Sequence, residues 1–206
     1  HRNLMGTGRA LILRGELYEN EDRVSLSYLE PWIFSLPYNG RLDLIRHRQE
    51  KDYYDLFNYS SIFSLEHDFT DYLKGVLQYD LENNYISRTD PNVVLTGLDT
   101  GHARIATLGA TLTLDTRDDP FNPRRGTLDN LRLDWAPAFV GSQVEFLRLS
   151  GTTNWYFPVL SKSALGFTIR TGYTQALGQT EYLPINKRFF LGGRTTLRGF
   201  DFESVG

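Results

Sequence analysis

The chain has 206 residues, a formal net charge of -3 and no cysteine, and 40% of its residues are hydrophobic. This composition predicts one folded unit and excludes disulfides, thiolate catalysis and cysteine-based zinc sites. The acidic balance, without a block of Lys and Arg, argues against a partner nucleic acid. No apolar run approaches the roughly 20 residues of a membrane helix, so any membrane crossing must use strands.

The dominant pattern along the chain is an alternation of apolar and polar residues, which predicts β-strands. In one of the clearest segments, Leu108, Ala110 and Leu112 alternate with Gly109 and Thr111. We predict about nine strands, in chain order near 9–19, 23–33, 40–49, 56–68, 71–87, 104–117, 127–136, 144–157 and 164–177.

Two architectures produce this alternation, a soluble antiparallel sheet and a transmembrane β-barrel. Several predicted strands have roughly 10 to 15 residues, whereas strands of globular proteins usually have about 5 or 6. Aromatic residues also gather toward strand ends, as at Trp32, Trp135 and Trp155, where they would lie at the membrane surfaces. These features favour a barrel, although aromatic residues of this kind also occur in ordinary cores.

The alternation assigns side chains to the two faces of the sheet. An antiparallel meander should direct one set of residues outward, toward lipid: Leu73, Leu77, Leu108, Leu112, Leu149, Phe167 and Ile169. The opposite, polar face carries charged residues that fit a barrel lumen and fit the wet face of a soluble sheet equally well. They are Asp80, Glu82, Arg132, Asp134, Arg148 and Arg170.

The predicted links between strands alternate between short and long. Short links lie near 37–40, 68–71 and 158–163, and longer ones at 49–55 and 88–103. In outer-membrane barrels the short links are periplasmic. The segment from Gly178 onward should then be extracellular, and the link 118–126 is unusually long for its side.

That link contains a motif of acidic residues, prolines and one arginine at the boundary of two strands. Its residues are Asp115, Arg117, Asp118, Pro120, Pro123 and Gly126. We interpret it as a turn in which Arg117 pairs with Asp115 and Asp118, although a carboxylate cluster for metal binding or acid–base work is an alternative. The four histidines are dispersed without ligand-like spacing, and no catalytic set or nucleotide fingerprint is visible. We therefore expect no enzyme activity, no metal and no cofactor.

A second motif lies at residues 192–200, in the segment GGRTTLRGF. Its defining residues are Gly192, Gly193, Leu197, Arg198, Gly199 and Phe200. A guanidinium flanked by glycines can approach a wall closely and form a bidentate contact with a carboxylate. Taken alone, the segment is also compatible with a glycine-rich hairpin and a solvated arginine.

The two motifs, about 70 residues apart, resemble the outer-membrane β-barrel insertase and translocon superfamily (BamA/TamA-like). NLMGTGR at the start and SLSYLEPWIF after it are similar to strands of these barrels. The resemblance implies a loop that folds into the lumen, where Arg198 meets acidic and aromatic side chains. It also implies that residues 1–206 are a fragment of a sixteen-stranded barrel, covering strands three to eleven and the loop, without the POTRA modules.

The resemblance further implies a function in folding and inserting β-barrel proteins into the outer membrane of a Gram-negative-type bacterium or an organelle derived from one. The expected partners are nascent outer-membrane proteins, outer-membrane lipid and accessory assembly lipoproteins. A TamA-like factor, a two-partner secretion translocon and a passive pore are the alternatives. The isolated fragment should self-associate through its strand edges, because unpaired edges template intermolecular pairing.

Overall fold

The computed structural model of the protein describes residues 2–4, 6–50, 54–87, 101–160, 163–184 and 187–189. Strands and two short 3₁₀ helices are the only regular elements in these ranges. The strands are β1 Arg2–Leu4, β2 Arg9–Leu17, β3 Glu21–Glu30, β4 Asn39–Glu50, β5 Asp55–Asp68, β6 Leu73–Ser87, β7 Gly101–Asp115, β8 Gly126–Ala136, β9 Phe146–Leu160 and β10 Ser163–Ala176. The 3₁₀ helices are Ile33–Ser35 and Ala138–Val140.

All ten strands form one sheet in the order β1 to β10, and each pairs antiparallel with its neighbour in sequence. The predicted meander is confirmed, and among the described residues its first and last strands do not pair with each other. The nine long strands have 9 to 15 residues, a length suited to a tilted bilayer crossing. The three residues of β1 were not predicted, because so short a segment shows no alternation.

The strand links define two ends of the sheet. The short-link end carries the links 5–8, 31–38, 69–72, 116–125 and 161–162, and the long-link end carries 18–20, 51–54, 88–100, 137–145 and the segment after β10. The asymmetry is imperfect at both ends. The long-link end includes the tight hairpin 18–20, closed by the Tyr18 N–H, which donates to the Glu21 carbonyl at 2.8 Å. The short-link end includes the longer links 31–38 and 116–125.

The predicted tight link near residues 37–40 is wrong in its extent. β3 ends at Glu30, and the chain passes through the 3₁₀ helix Ile33–Ser35 before β4 begins. Pro31 has no N–H to donate to the sheet, which explains why the ladder stops directly before it. The real link therefore comprises residues 31–38.

The predicted outward residues lie on one exposed face of the sheet. Leu77 is 63% exposed, Phe167 55% and Ile169 49%, and none of the seven lies in an enclosed core. Leu112 and Leu149 are likewise exposed, whereas Leu73 and Leu108 are partly covered by their neighbours on the same face. A broad apolar surface of this kind, open to the surroundings, fits a lipid-facing wall.

Aromatic side chains mark both ends of this outward face. At the long-link end, Trp135 contacts Phe139 edge-on with ring centroids 5.4 Å apart, and the Tyr79 hydroxyl donates to the Val140 carbonyl at 3.1 Å. At the short-link end, Trp155 and Phe157 lie with their centroids 6.0 Å apart. Two such belts are typical of the two interfaces of a membrane.

The inward face is polar along most of its length but carries apolar clusters at the long-link end. One cluster comprises Ile105, Ala136, Val144, Phe146 and Leu183, and a second comprises Tyr54, Leu56 and Ile86. Ile105 and Phe146 belong to the register that otherwise carries polar groups, and both are buried. The sequence pattern did not predict these clusters, because the residues that cover them come from links rather than from strands.

Candidate functional site

The link from β7 to β8 is organised around one arginine. Arg117 donates from Nε and Nη2 to the two carboxylate oxygens of Asp115, at 2.8 and 2.7 Å, and from Nη1 to the Pro120 carbonyl at 3.0 Å. The paired contact is the bidentate geometry that only a guanidinium can form. The hydrogen bond with Asp115 raises the pKa of Arg117 above its ordinary value.

Asp118 has a different role from the pairing with Arg117 that the sequence predicted. Its Oδ1 accepts hydrogen bonds from the backbone N–H groups of Asp119, Arg124 and Arg125, at 3.0, 2.9 and 3.1 Å. These amides, with that of Arg124 contributing most, lower the pKa of Asp118. The carboxylate thus ties the two sides of the turn together through the backbone.

Gly126 closes the turn in a conformation that excludes other residues. Its φ is +99°, and a Cβ at this position would collide with the Thr116 carbonyl oxygen and come within 2.9 Å of Arg117 Cα. The obstacle is backbone, which has no other position to take. Pro123 is partly buried and Pro120 exposed, so the six motif residues occupy one compact turn.

A buried ion pair crosses the inward face of the sheet. Lys187 Nζ lies 2.6 Å from Glu82 Oε1, and the two side chains are only 14% and 13% exposed. Asn84 donates to the other oxygen of Glu82 at 3.3 Å, and Asn58 donates to Asn84 at 2.6 Å. Glu82 is therefore fully engaged by groups from β5, β6 and the segment that follows β10.

A second ion pair lies on the inward face toward the middle of the sheet. Arg132 Nη2 is 2.8 Å from Asp134 Oδ1, and Arg132 Nη1 donates to Gln78 Oε1 at 3.3 Å. Gly109 allows the pair to pack closely, because a Cβ there would lie 3.2 Å from Asp134 Oδ1. Within the described ranges, Asp80 Oδ1 and Arg148 Nε are buried without a hydrogen-bond partner.

The segment after β10 turns onto the inward face. Leu183 is buried in the apolar cluster there, Lys187 reaches Glu82, and the centroid of the Phe189 ring lies 4.3 Å from Arg148 Cζ. Gly172 makes room for the same ring, since a Cβ there would be 2.7 Å from it. The chain is thus already inside the lumen just before the second motif begins.

The second motif itself lies outside the described residues: Gly192, Gly193, Leu197, Arg198, Gly199 and Phe200. Their predicted place in the lumen stays a prediction. Lys187 and Phe189, which do enter the lumen, were not singled out from the sequence. A lone lysine and a lone phenylalanine in a polar segment carry no periodic signal, and their partners lie on distant strands.

In the described ranges, no group of three or more His, Cys, Asp or Glu side chains is arranged to hold a metal ion. No helix among these residues is long and apolar enough to cross a membrane.

Comparisons with known proteins agree with this architecture. The Sorting and assembly machinery component 50 homolog of Mus musculus is 28% identical over 108 residues, which is 52% of this chain and 23% of that protein. The Homo sapiens homolog is 27% identical over the same length. The chain therefore spans about a quarter of the length of these relatives.

A solved structure shares the fold. The crystal structure of BamA from Haemophilus ducreyi lacking POTRA domains 1–3 superimposes with a TM-score of 0.86 over 100% of this chain and 42% of that one, at 17% identity. The Omp85 superfamily domain matches residues 3–206, nearly the whole sequence. The chain belongs to the Omp85 superfamily.

Proposed function

We propose that this chain is part of a factor that folds β-barrel proteins and inserts them into an outer membrane. The observation that carries the proposal is a β-barrel wall of the Omp85 superfamily whose lumen is entered by the segment after β10. A wall with an apolar outer face and a partly filled lumen suits a protein that works on the membrane itself better than an open channel. The activity requires no covalent chemistry.

The outward leucines and the two aromatic belts support an outer-membrane location, in a Gram-negative-type bacterium or an organelle derived from one. The short-link end then faces the periplasm or the equivalent compartment. In this orientation the Arg117 turn is periplasmic, and the segment that carries Lys187 enters the lumen from the opposite side.

We assign the nine long strands to strands three to eleven of a sixteen-stranded barrel, with the second motif in the loop that follows. The supporting fact is that the chain aligns fully with 42% of the BamA structure. POTRA modules and the remaining strands would belong to other parts of the full-length protein. Its partners are nascent outer-membrane proteins, the surrounding lipid and accessory lipoproteins.

An insertion assay with the full-length protein tests this function. The purified protein is reconstituted into vesicles, an unfolded outer-membrane barrel is diluted from urea onto them, and the folded, protease-protected fraction is followed on gels. We expect faster folding than with vesicles that contain a passive porin at the same density. The porin control accounts for membrane defects caused by any inserted barrel.

Two results would contradict the proposal. Folding no faster than with the porin, together with a large ion conductance, would identify a passive pore. Passage of an unfolded soluble passenger into the vesicles, without insertion of the barrel client, would identify a translocon.

A further inference from the structure

A groove of about 270 Å³ runs along the outward face of the sheet from the start of β6 across β7, β8 and β9 to β10. Its lining includes the apolar side chains of Leu112, Leu131 and Ile169 together with Gly151. Gly151 has no side chain to fill the space, and a Cβ there would already approach Thr171 Cγ2 at 3.3 Å. The groove is thus an apolar channel on a surface that faces acyl chains.

The end of this groove toward the short links carries a carboxylate. Asp129 lies in the outward register of β8, two residues after Thr127 and two before Leu131. Thr127 Oγ1 donates to Asp129 Oδ2 at 2.7 Å, and Thr153 Oγ1 donates to Asp129 Oδ1. The two hydroxyls hold the carboxylate in one orientation at the mouth of the groove.

The position of Asp129 relative to the membrane surface follows from its neighbours on the outward face. On one side are the leucines of the groove, and on the other, further along the same face of β9, are Trp155 and Phe157. Because aromatic belts lie at headgroup level, Asp129 lies at the boundary between acyl chains and headgroups. Trp155 Nε1 donates to Thr153 Oγ1, which links the belt to the carboxylate through one hydroxyl.

The charge of Asp129 has no protein counterpart in the described parts of the chain, where its partners are the two threonine hydroxyls. A carboxylate at a membrane boundary is costly unless a cation or strong donors compensate it. A lipid headgroup with a primary ammonium supplies both the opposite charge and N–H donors. A choline headgroup supplies charge without N–H donors, and a glycerol headgroup leaves an anionic lipid facing an anion.

We propose that the groove and Asp129 together form a binding site for a phospholipid with a primary ammonium headgroup, phosphatidylethanolamine. One acyl chain lies in the groove beside Gly151, and the ammonium donates to the Asp129 carboxylate. The site needs the membrane placement of the proposed function but does not depend on insertion activity.

The test is native mass spectrometry of the full-length protein in detergent, titrated separately with phosphatidylethanolamine, phosphatidylcholine and phosphatidylglycerol of identical acyl chains. We expect the wild type to bind phosphatidylethanolamine most tightly. Asp129→Asn should lower that affinity about tenfold, the effect of losing one charge-assisted hydrogen bond, and leave phosphatidylcholine nearly unchanged. Gly151→Leu should fill the groove and lower the affinity for all three lipids.

Asp71→Asn is the matched control, because Asp71 is an exposed carboxylate in the β5–β6 link at the same end of the sheet. Heat-modifiable gel mobility shows that each variant is folded. Equal wild-type affinity for the ethanolamine and choline lipids, an unchanged preference in Asp129→Asn, full binding by Gly151→Leu, or an equal loss in Asp71→Asn would each overturn the proposal. The vesicle assay of the proposed function tests insertion separately, so loss of lipid preference and loss of insertion activity are distinguishable failures.

Discussion

At the scale of single residues, Gly126, the first residue of β8, has a strict steric requirement at the end of the β7–β8 link. We expect Gly126→Ala to destabilise the barrel by roughly 1–3 kcal/mol, because φ is positive and the added methyl meets backbone atoms. The folded fraction after heating, read from gel mobility, measures the effect. Gly15→Ala is the control, since a Cβ at Gly15 has no heavy atom within 4 Å; an equal loss there would point to a general effect of removing strand glycines.

Asp118 should make the same turn sensitive to acid. Its pKa is lowered in the folded protein, so its stabilising effect is complete above the ordinary aspartate pKa of about 3.9. The effect is then lost as the pH falls through the lower, folded value. Hydrogen exchange at the Arg124 and Arg125 amides, corrected for intrinsic rates, should show protection that decreases in this acid range.

Asp118→Asn gives the corresponding control. An amide oxygen accepts hydrogen bonds but does not titrate, so the variant should show weaker protection with no acid-dependent step. A wild-type profile as flat as that of the variant would contradict the role of the charge.

Arg198 can be tested although it lies outside the described residues. In the full-length protein, Arg198→Ala should weaken assembly or insertase function, by roughly 2–5 kcal/mol if its acidic partner is left buried and unpaired. Arg198→Lys should retain only part of the assembly and insertase function, because the point charge of an ammonium does not reproduce the planar, forked guanidinium. Heat-modifiable mobility and complementation of a depletion strain measure both variants. Wild-type behaviour of Arg198→Ala would indicate that Arg198 is a solvated arginine in a glycine-rich hairpin.

At the scale of elements, the segment after β10 is attached to β6 by a buried ion pair. Glu82→Gln leaves the Lys187 charge without its counterion and should loosen the segment, at a cost of roughly 3–5 kcal/mol. Limited proteolysis within residues 177–189 detects this loosening. Lys187→Met together with Glu82→Gln removes both charges and should recover part of the loss; additive effects of the two changes would show that they are not coupled.

Two adjacent residues of β5 test which face of the strand meets lipid. Phe63 is 43% exposed on the outward face, whereas Ser64 lines an inward cavity beside Asp43 and Glu66. Phe63→Arg should reduce folding into vesicles by roughly 2–4 kcal/mol, the cost of a cation on the lipid face. Ser64→Arg, with the same charge change, should be tolerated. Equal tolerance of both changes would contradict a membrane wall.

The strands were predictable from the sequence to within a few residues, because each long strand carries its own alternation. In β7, for example, the apolar face is identified by the local alternation alone, from Leu108, Ala110 and Leu112. The contacts that fill the lumen were not predictable in this way. Lys187 and Phe189 acquire their roles only when β10 has placed the following segment beside β6 and β9.

The β7–β8 turn shows the same limit within one motif. The bidentate pair of Arg117 with Asp115 follows from close spacing and opposite charge. Asp118 accepts hydrogen bonds from three backbone N–H groups. These bonds exist only when residues 119–125 follow their folded path, and the residue pattern does not specify that path.

At the scale of the whole molecule, the pairing order has a consequence for the time course of folding. Every strand pairs with the strand next to it in sequence, so the sheet can grow hairpin by hairpin, with short loop closures at each step. The contact of Lys187 with Glu82 bridges 105 positions and needs the intervening strands in place. It should therefore form last. A lumen filled by the segment after β10 then indicates that all the preceding hairpins have already assembled.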